Sequence, residues 1–337
     1  MSDRYKPKTL KDVSKASGVS LITVSRTLRR PAAVHASTRE KVFKAIEEIG
    51  YVPNLTARSL VSSRSNIVGI VVPILSSSLF ADLVQGVAGT LREENLQMLM
   101  AVSERSTDLE GEAVKAFIGR QADAIIVTGF THSDSCRTFL TGFSGPVVET
   151  WNLSDNIIDM AVGYSNFDAS ADMTRYLIEK GYRRIALVGG DFENNDQAQD
   201  RYRGFMTTMA EAGRNVPPEF VISVPTPTTI ESGRDVMLSL MKRFPRPDAV
   251  VFQAEIPAHG AIMACLSEGI SVPGTVAIAG YGDLRLSALL PVPLTTVRIK
   301  SRAIGEQAAR LVVKRLNGED TENVIDVGYD IVVRQSA

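Results

Sequence analysis

The sequence predicts an α/β chain in two parts: a small all-helical N-terminal segment, then a larger two-lobed body with parallel sheets. Up to about residue 65, apolar residues recur at helical spacing without strand-like runs. From residue 66 onward, short apolar runs alternate with amphipathic helices, a pattern typical of parallel sheets covered by helices. Strands are expected near residues 67–75, 96–102, 123–128, 146–151, 160–164, 185–189, 220–223, 249–253 and 276–280. So many strands favour two lobes.

Charge is divided unevenly along the 337 residues, although the net charge is only −1. Residues 1–65 carry 13 Lys/Arg and 5 Asp/Glu, whereas the remainder carries 24 and 33. A basic segment on an acidic body is typical of a polyanion-binding module attached to a soluble domain. A solvated basic tail remains the alternative at this point.

Cysteine and histidine spacing gives no sign of a disulfide framework or a metal site, so we expect neither metal nor cofactor. The residues concerned are Cys136, Cys265, His35, His132 and His259. The N-terminus begins with polar and charged residues rather than the apolar core of a signal peptide. Apolar runs are of strand length, well below the ~20 residues of a membrane span. We therefore expect a cytoplasmic chain without membrane contact.

The N-terminal segment predicts two helices joined by a tight turn. Gly18 suits the turn because glycine tolerates positive φ, and Ser20 suits the cap of the second helix. A third helix is expected at about residues 37–49, ending at Gly50. The apolar residues expected to meet are Leu10, Val13, Val19, Val24, Leu28, Val42, Ala45, Ile46 and Ile49. This order of elements is a helix-turn-helix.

An ordered set of motifs makes this segment resemble the LacI/GalR family of repressors. The motifs are Leu10-x-x-Val13, Gly18-Val19-Ser20, Thr23-Val24-Ser25-Arg26, Thr38-Arg39-Glu40-Lys41-Val42, Gly50-Tyr51-Val52-Pro53-Asn54 and Ala57-Arg58-Ser59-Leu60. Ser14 departs from the alanine usual in the family, but a serine fits sterically. If only the three helices are considered, and not the motifs, a generic three-helix cap is the alternative to a helix-turn-helix.

The resemblance implies a role in DNA binding for particular residues. Leu21, Ile22 and Arg26 correspond to the base-reading positions in the major groove, where arginine pairs well with guanine. Residues expected to hold the DNA backbone are Thr9, Ser20, Thr23, Ser25 and Asn54. Residues 54–62 correspond to a hinge helix, too short to be stable alone. Within it, Leu60, with Ala57, corresponds to the wedge that opens a minor-groove base step.

The body resembles the effector domain of the same family, which is built like a periplasmic sugar-binding protein. The expected divisions are a DNA-binding domain at 1–53, a hinge and linker at 54–65, and an effector-binding and dimerisation domain at 66–337. Within that domain, lobe 1 is expected at about 66–164 and 293–323, and lobe 2 at about 165–292 and 324–337. Ligands of such sheets bind beyond the carboxyl ends of strands, so the pocket is expected between the lobes.

Effector-binding positions follow from the same resemblance. The expected residues are Ser77, Ser78, Phe80, Trp151, Tyr164, Asn166, Arg201, Thr228 and Asp283. The family's Asn-Asp and Asp-Asp patterns are broken here by Ala254 and Gly282, while Arg201 is kept. The segments 147–151 and 159–167 are also similar to the gluconate-repressor branch. We therefore expect a sugar acid, such as gluconate or a ketogluconate, paired with Arg201.

The sequence as a whole predicts a ligand-responsive repressor of carbohydrate or sugar-acid catabolism genes, working as a homodimer on a pseudo-palindromic double-stranded operator. An enzyme is not expected, because the histidines are dispersed and no phosphate-binding or nucleophile motif occurs. The alternative is a cytosolic or exported sugar-binding protein without a regulatory role, which the body alone would allow.

Overall fold

The computed structural model describes residues 8–52, 64–192, 195–225 and 228–337. The chain divides into two compact units, Met1–Ser65 and Asn66–Ala337. No helix in these described ranges is both long and apolar enough to cross a membrane.

Unit 1 consists of three helices around a small apolar core. The helices are α1 (Leu10–Ser17), α2 (Leu21–Arg29) and α3 (Ala36–Ile49). Val13, Val24, Val42 and Tyr51 are buried at their meeting point. Gly18 adopts φ +66° at the end of α1, as expected for the tight turn. The predicted helix-turn-helix and third helix are thus confirmed. The hinge residues Asn54, Ala57 and Leu60 lie outside the described residues.

The unusual Ser14 has a defined role in the turn between α1 and α2. Its hydroxyl donates a 2.7 Å hydrogen bond to the carbonyl of Val19. Ser17 donates a similar bond to the carbonyl of Val13. Because these carbonyls are bonded locally, the serine at position 14 stabilises the turn where alanine would leave Val19 without this donor.

Unit 2 contains twelve strands and eight helices in the described ranges. The strands are β1 (Ile67–Val72), β2 (Gln97–Val102), β3 (Ala124–Thr128), β4 (Val147–Thr150), β5 (Met160–Gly163), β6 (Ile185–Gly189), β7 (Val221–Ser223), β8 (Ala249–Phe252), β9 (Ala277–Gly282), β10 (Thr295–Ile299), β11 (Val324–Asp326) and β12 (Tyr329–Val332). The helices are α4 (Ser78–Glu93), α5 (Thr107–Gly119), α6 (Asp134–Thr141), α7 (Asn166–Glu179), α8 (Asp196–Glu211), α9 (Ile230–Met241), α10 (Glu255–Ser267) and α11 (Ser301–Leu316). All nine expected strands are present.

The strands form two six-stranded sheets, one in each lobe. The first has the order β11-β5-β4-β3-β1-β2 and is parallel throughout. The second has the order β12-β10-β9-β8-β6-β7, and its edge strand β12 runs antiparallel to β10. The predicted two-lobed architecture with parallel sheets is confirmed, apart from this one antiparallel strand.

Strand pairing corrects the predicted lobe boundaries near the C-terminus. β10 pairs with β9, so the chain is still in the second lobe at Ile299, beyond the boundary expected at 293. α11 then packs on α4 of the first lobe, and β11 pairs with β5 of the same lobe. The chain therefore crosses between lobes after β5, after β10 and after β11. The lobe ranges implied by the resemblance place the last two crossings near residues 293 and 324, before β10 and before β11 rather than after them.

Two glycines bring the helices α4 and α11 of the first lobe into close contact. A Cβ added at Gly86 of α4 would lie 2.4 Å from the carbonyl of Arg302 in α11. A Cβ at Gly305 of α11 would lie 2.1 Å from the carbonyl of Leu83. Because these neighbours are backbone atoms, the α4–α11 approach requires glycine at both positions.

Candidate functional site

The surface of α2 presents three side chains that sequence analysis assigned to base reading. Leu21 is 40% exposed and Ile22 is 73% exposed, while Arg26 is exposed on the same helix. On the opposite face, Val24 and Thr27 are fully buried against the other helices. Two exposed apolar side chains beside an arginine form a surface suited to reading base edges by shape, methyl contact and hydrogen bonding.

The hydroxyls assigned to the DNA backbone also organise their own helices. Ser20 accepts a 3.3 Å bond from the Thr23 amide, which caps α2. Ser25 accepts a 2.7 Å bond from the guanidinium of Arg29. Thr9 donates from its amide and its hydroxyl to Asp12, which lowers the pKa of that carboxyl. These contacts fix the starts of α1 and α2, where helix N-termini favour phosphate.

A cavity of about 130 Å³ lies in the cleft between the lobes of unit 2. Side chains of both lobes line it, so a bound molecule would contact both. The first lobe supplies Ile74, Ser76, Ser77, Leu79, Phe80, Arg105 and Trp151; the second supplies Gly190, Asp191, Asn195, Gln197, Ala198, Arg201, Thr228, Gln253, Ala254, Glu255, Ile256, Tyr281 and Leu284, and Ile299 lies at a crossing. Of the nine expected effector residues, Ser77, Phe80, Trp151, Arg201 and Thr228 are in this lining.

Two aromatic rings form one wall of the cleft. Phe80 and Trp151 stack with centroids 4.5 Å apart. Trp151 follows β4 with φ +84°, a conformation rare for a bulky residue, and its amide donates to the carbonyl of Val162. A residue in this left-handed region keeps its conformation only where the surrounding structure holds it there. Such residues are frequent at ligand-binding sites. Trp151 is therefore both packed into the core and part of the cleft wall.

Arg201 is held rigidly by residues from the base of the cleft. Its Nε donates to Oδ1 of Asn166 at 2.7 Å, and Nη1 donates to the carbonyl of Gln253 at 2.8 Å. Nη2 lies 3.4 Å from the hydroxyl of Tyr164, and the guanidinium lies 4.2 Å from the ring centroid of Tyr281. Tyr164 and Asn166 are themselves fully buried and absent from the lining. The structure therefore gives them a positioning role toward Arg201.

Arg105 is a second cleft arginine, which sequence analysis missed. It follows β2, and both Glu104 and Arg105 have positive φ. Although much of its side chain reaches solvent, the surrounding protein and the charge of Arg201 lower the pKa of its guanidinium. Within the described ranges, neither arginine has a carboxylate partner. The only sequence signal was its place directly after a strand of a parallel sheet.

Two further polar groups in the lining lack hydrogen-bond partners within the described part of the chain. They are both amide atoms of Gln253 and the hydroxyl of Tyr281. These side chains are only 4% and 3% exposed. A buried polar group without a partner costs roughly 1–3 kcal/mol. Their presence beside the two arginines indicates a site prepared for a polar ligand.

Glu255 stands where the family's aspartate is expected, but its carboxylate is already occupied. It accepts a hydrogen bond from Ser287 and another, at 2.7 Å, from the hydroxyl of Thr296. Burial raises the pKa of this carboxyl, although the hydrogen bonds oppose the shift. Its two carboxylate oxygens are thus bonded to Ser287 and Thr296 rather than to the cleft arginines.

The effector roles expected for Asp283 and Ser78 need correction. Asp283 accepts 2.6 Å bonds from Arg298 and from Arg334, and it is absent from the lining. These ion pairs tie β9 to β10 and to the residues after β12. Ser78 begins α4 beside Ser77, but only Ser77 lines the cleft.

A helix-turn-helix unit together with a two-lobed body and a polar cleft defines the class of ligand-responsive DNA-binding proteins. Residues 9–54 match the description "Bacterial regulatory proteins, lacI family". Residues 174–337 match the description "Periplasmic binding protein-like domain".

Similar proteins span almost the whole chain. The regulator GntR of Pseudomonas aeruginosa is 30% identical over 97% of this chain and 95% of its own. The regulator IdnR of Escherichia coli is 30% identical over 96% of each. The crystal structure of a LacI family regulator from Silicibacter pomeroyi superposes with a TM-score of 0.92 at 30% identity, covering 98% of this chain and 99% of that one.

The chain belongs to the LacI family of bacterial regulatory proteins. It is a sequence-specific, ligand-responsive transcriptional regulator, as the sequence predicted. The match of the helix-turn-helix unit and the regulators that are similar over almost the whole chain contradict the alternative of a sugar-binding protein without a regulatory role.

Proposed function

We propose that this regulator is a cytoplasmic homodimeric repressor that binds a pseudo-palindromic operator and releases it when a sugar acid enters the cleft. The observation that carries the effector class is the pair Arg105 and Arg201, two cations lining one cavity without a carboxylate partner among the described residues. Like charges held together in a partly desolvated site favour an anion between them. A carboxylate of gluconate or a ketogluconate supplies that anion.

The remaining lining suits the polyol part of such a ligand. The free amide of Gln253 and the hydroxyl of Tyr281 offer donors and acceptors to hydroxyl groups. Thr228 adds a further polar group, and Trp151 lines the cavity from the other lobe. Pockets for small ligands combine an apolar wall with a few placed polar groups in this way.

For DNA binding, we infer that α2 enters the major groove. Arg26 would donate to a guanine edge, while Leu21 and Ile22 would contact thymine methyls or exclude other bases by shape. Leu60 remains the proposed wedge of the minor groove, although it lies outside the described residues. Dimerisation would place two such surfaces on half-sites related by a two-fold axis.

Calorimetry tests the effector proposal directly. Gluconate and 2-ketogluconate are expected to bind, and glucose and fructose are expected to bind at least tenfold more weakly. Arg105→Gln and Arg201→Gln should each weaken sugar-acid binding by tenfold or more, because a charge-assisted bond is worth about 1.5–3 kcal/mol. Arg243→Gln changes an exposed arginine after α9 and should leave binding unchanged. Binding of neutral hexoses alone would overturn the proposal.

Operator release is measured separately by fluorescence anisotropy with a labelled operator duplex. Saturating sugar acid should weaken operator binding if the ligand prefers the released arrangement of the lobes. Tighter operator binding with the same ligand would show co-repression and contradict the proposed direction.

A further inference from the structure

Four side chains unused by the cleft meet inside the first lobe. Glu110 lies in α5, His132 follows β3, Cys136 lies in α6 and Glu149 lies in β4. The His132 ring is placed between the two carboxylates, with Nδ1 2.7 Å from Glu110 and Nε2 3.2 Å from Glu149. The sulfur of Cys136 lies 3.7 Å from the same oxygen of Glu110. The fold therefore assembles a donor group that sequence spacing did not reveal.

This group is shielded from solvent, and one of its members lines a compartment next to the cleft. Cys136 and Glu149 are fully buried, Glu110 is 6% exposed, and the His132 side chain is 1% exposed. Glu110 also lines a small polar compartment that shares Arg105 with the main cavity. Glu110 is therefore the member of the group that lies nearest to the cleft.

One ligand atom from each of Glu110, His132 and Cys136 lies within 4.8 Å of the other two. Zinc takes carboxylate oxygen, imidazole nitrogen and thiolate sulfur at about 2.0–2.3 Å, which places neighbouring ligands of a tetrahedron about 3.5 Å apart. We propose that these three residues form a zinc site, with Glu110, Nδ1 of His132 and the Cys136 thiolate as ligands. Binding requires the 2.7 Å contact to widen and the three ligand atoms, now within 4.8 Å of one another, to close around the ion. The fourth position is left to water.

Glu149 is the positioning residue of this site. It accepts from Nε2 of His132 while its other oxygen accepts from the amide of Ile158 at 2.6 Å. A carboxylate on the second ring nitrogen fixes the tautomer and orientation of a metal-binding histidine. Glu149 thus holds Nδ1 toward Glu110 and Cys136.

Zinc binding displaces protons from two of the ligands. Burial and the nearby Glu110 carboxylate raise the pKa of Cys136 to about 12, so the metal-free thiol is protonated. Burial of His132 opposes its protonation, but Glu110 and Glu149 prevail and raise its pKa to about 9. On binding, the S–H and Nδ1–H bonds break, two protons pass to the buffer, and the bonds to zinc form. The N-terminal turn of α6 favours the resulting thiolate.

Cobalt(II) is the spectroscopic probe for zinc at such a site. The full-length chain, without a histidine tag, is stripped with a chelator and kept reduced with a phosphine. One equivalent of Co²⁺ should produce a thiolate-to-metal absorption band and tetrahedral d–d bands, and Zn²⁺ should abolish them. Absence of the thiolate band from the folded wild-type chain would overturn the proposal.

Substitutions show which residues bind the metal ion. Cys136→Ser should lose the thiolate band, whereas Cys265→Ser, which changes the buried cysteine of the second lobe, should keep it. Glu149→Gln should keep the band but weaken metal affinity about 10- to 100-fold. Retention of the band in Cys136→Ser, or its loss in the folded Cys265→Ser variant, would contradict the assignment.

Thermal unfolding provides a measurement that needs no variant. The midpoint of wild-type unfolding should shift upward by roughly 5 °C at zinc concentrations 100 times the dissociation constant. An unchanged midpoint at that concentration would contradict a zinc site in the folded chain.

Discussion

The side-chain amide of Asn152 donates hydrogen bonds to Asp196 and Asp200 across the cleft, at 2.9 and 2.8 Å. Asn152 follows β4 of the first lobe and is 2% exposed, while both acids lie in α8 of the second. Thr131 of the first lobe adds a 3.2 Å bond to Asp196. These contacts join the lobes beside the ligand-lining residues, so they oppose any widening of the cleft.

Replacing Asn152 by alanine should weaken effector binding. The change leaves two acids without their amide donor, at roughly 1.5–3 kcal/mol per charged hydrogen bond. We expect a 10- to 100-fold loss of sugar-acid affinity by calorimetry, together with a larger radius of gyration by X-ray scattering. Asn317→Ala, an exposed asparagine at the end of α11, is the control. Equal affinity and scattering for Asn152→Ala and wild type would disprove the role of this contact.

Arg26→Ala should reduce discrimination between DNA sequences more than it reduces overall DNA affinity. A bidentate arginine–guanine contact is worth about 1–3 kcal/mol, so specific binding should fall about 5- to 150-fold. Binding to a scrambled duplex should change much less, as measured by anisotropy at fixed salt. Lys44→Ala removes an exposed cation of α3 and serves as the matched control. A parallel loss on both duplexes would instead assign Arg26 to the phosphate backbone.

Binding of a sugar acid should strengthen as pH falls toward the raised pKa of Glu255. Burial raises this pKa, and the charge of Asp283 acts in the same direction, while bonds from Ser287 and Thr296 oppose it. Buried His259 is bonded to Ser287, and burial lowers its pKa, which favours the neutral imidazole. Protonation removes a negative charge facing an anionic ligand, so affinity can rise by at most about tenfold per pH unit.

Calorimetry between pH 5 and pH 8 measures this linkage. Glu255→Gln should bind with little pH dependence across the range, while Glu268→Gln, at the exposed end of the same helix, should behave as wild type. If the wild-type affinity instead falls steadily on acidification, Glu255 does not act on the ligand in this way.

Two glycines of α4, one turn apart, should respond oppositely to alanine. A Cβ at Gly86 would lie 2.4 Å from the backbone of Arg302, whereas a Cβ at Gly89 meets nothing within 4 Å. Gly86→Ala should destabilise the body by about 1–3 kcal/mol, and Gly89→Ala should stabilise it by up to about 1 kcal/mol. Thermal and urea unfolding measure both. Equal effects would show that α4 and α11 shift apart without cost.

The sequence was informative where function depends on local pattern. Helical spacing placed Val24 inward on α2, and the family resemblance placed Ile22 on the outer surface; Val24 is fully buried and Ile22 is 73% exposed. The family resemblance named Phe80, Trp151 and Arg201 for the cleft, and all three line it, since the carboxyl ends of parallel strands share an edge. In these cases each residue's position depends mainly on its own element.

Where function depends on distant partners, the sequence was insufficient. Asp283 looked like a ligand contact, but its partner Arg334 lies 51 residues away, and only folding shows the pair. Arg105 belongs to no motif, and its approach to Arg201 depends on how the two lobes meet. His132 and Glu110 are likewise 22 residues apart on different elements. Charge compensation across a fold is not encoded in spacing.

The late return of the chain to both sheets has a consequence for biosynthesis. The ribosome makes β5 long before β11, so β5 remains the edge strand of the first sheet until residue 326 is available. The second sheet waits for β12, and the hydroxyl of Ser336 then bonds to Thr295 and Ile278. β11 ends at Asp326 and β12 ends at Val332, so the ribosome completes the two sheets at nearly the same point of translation. A chain that ends before residue 324 would leave the largely buried strands β5 and β10 as exposed sheet edges in place of β11 and β12, which favours aggregation over a partly active product.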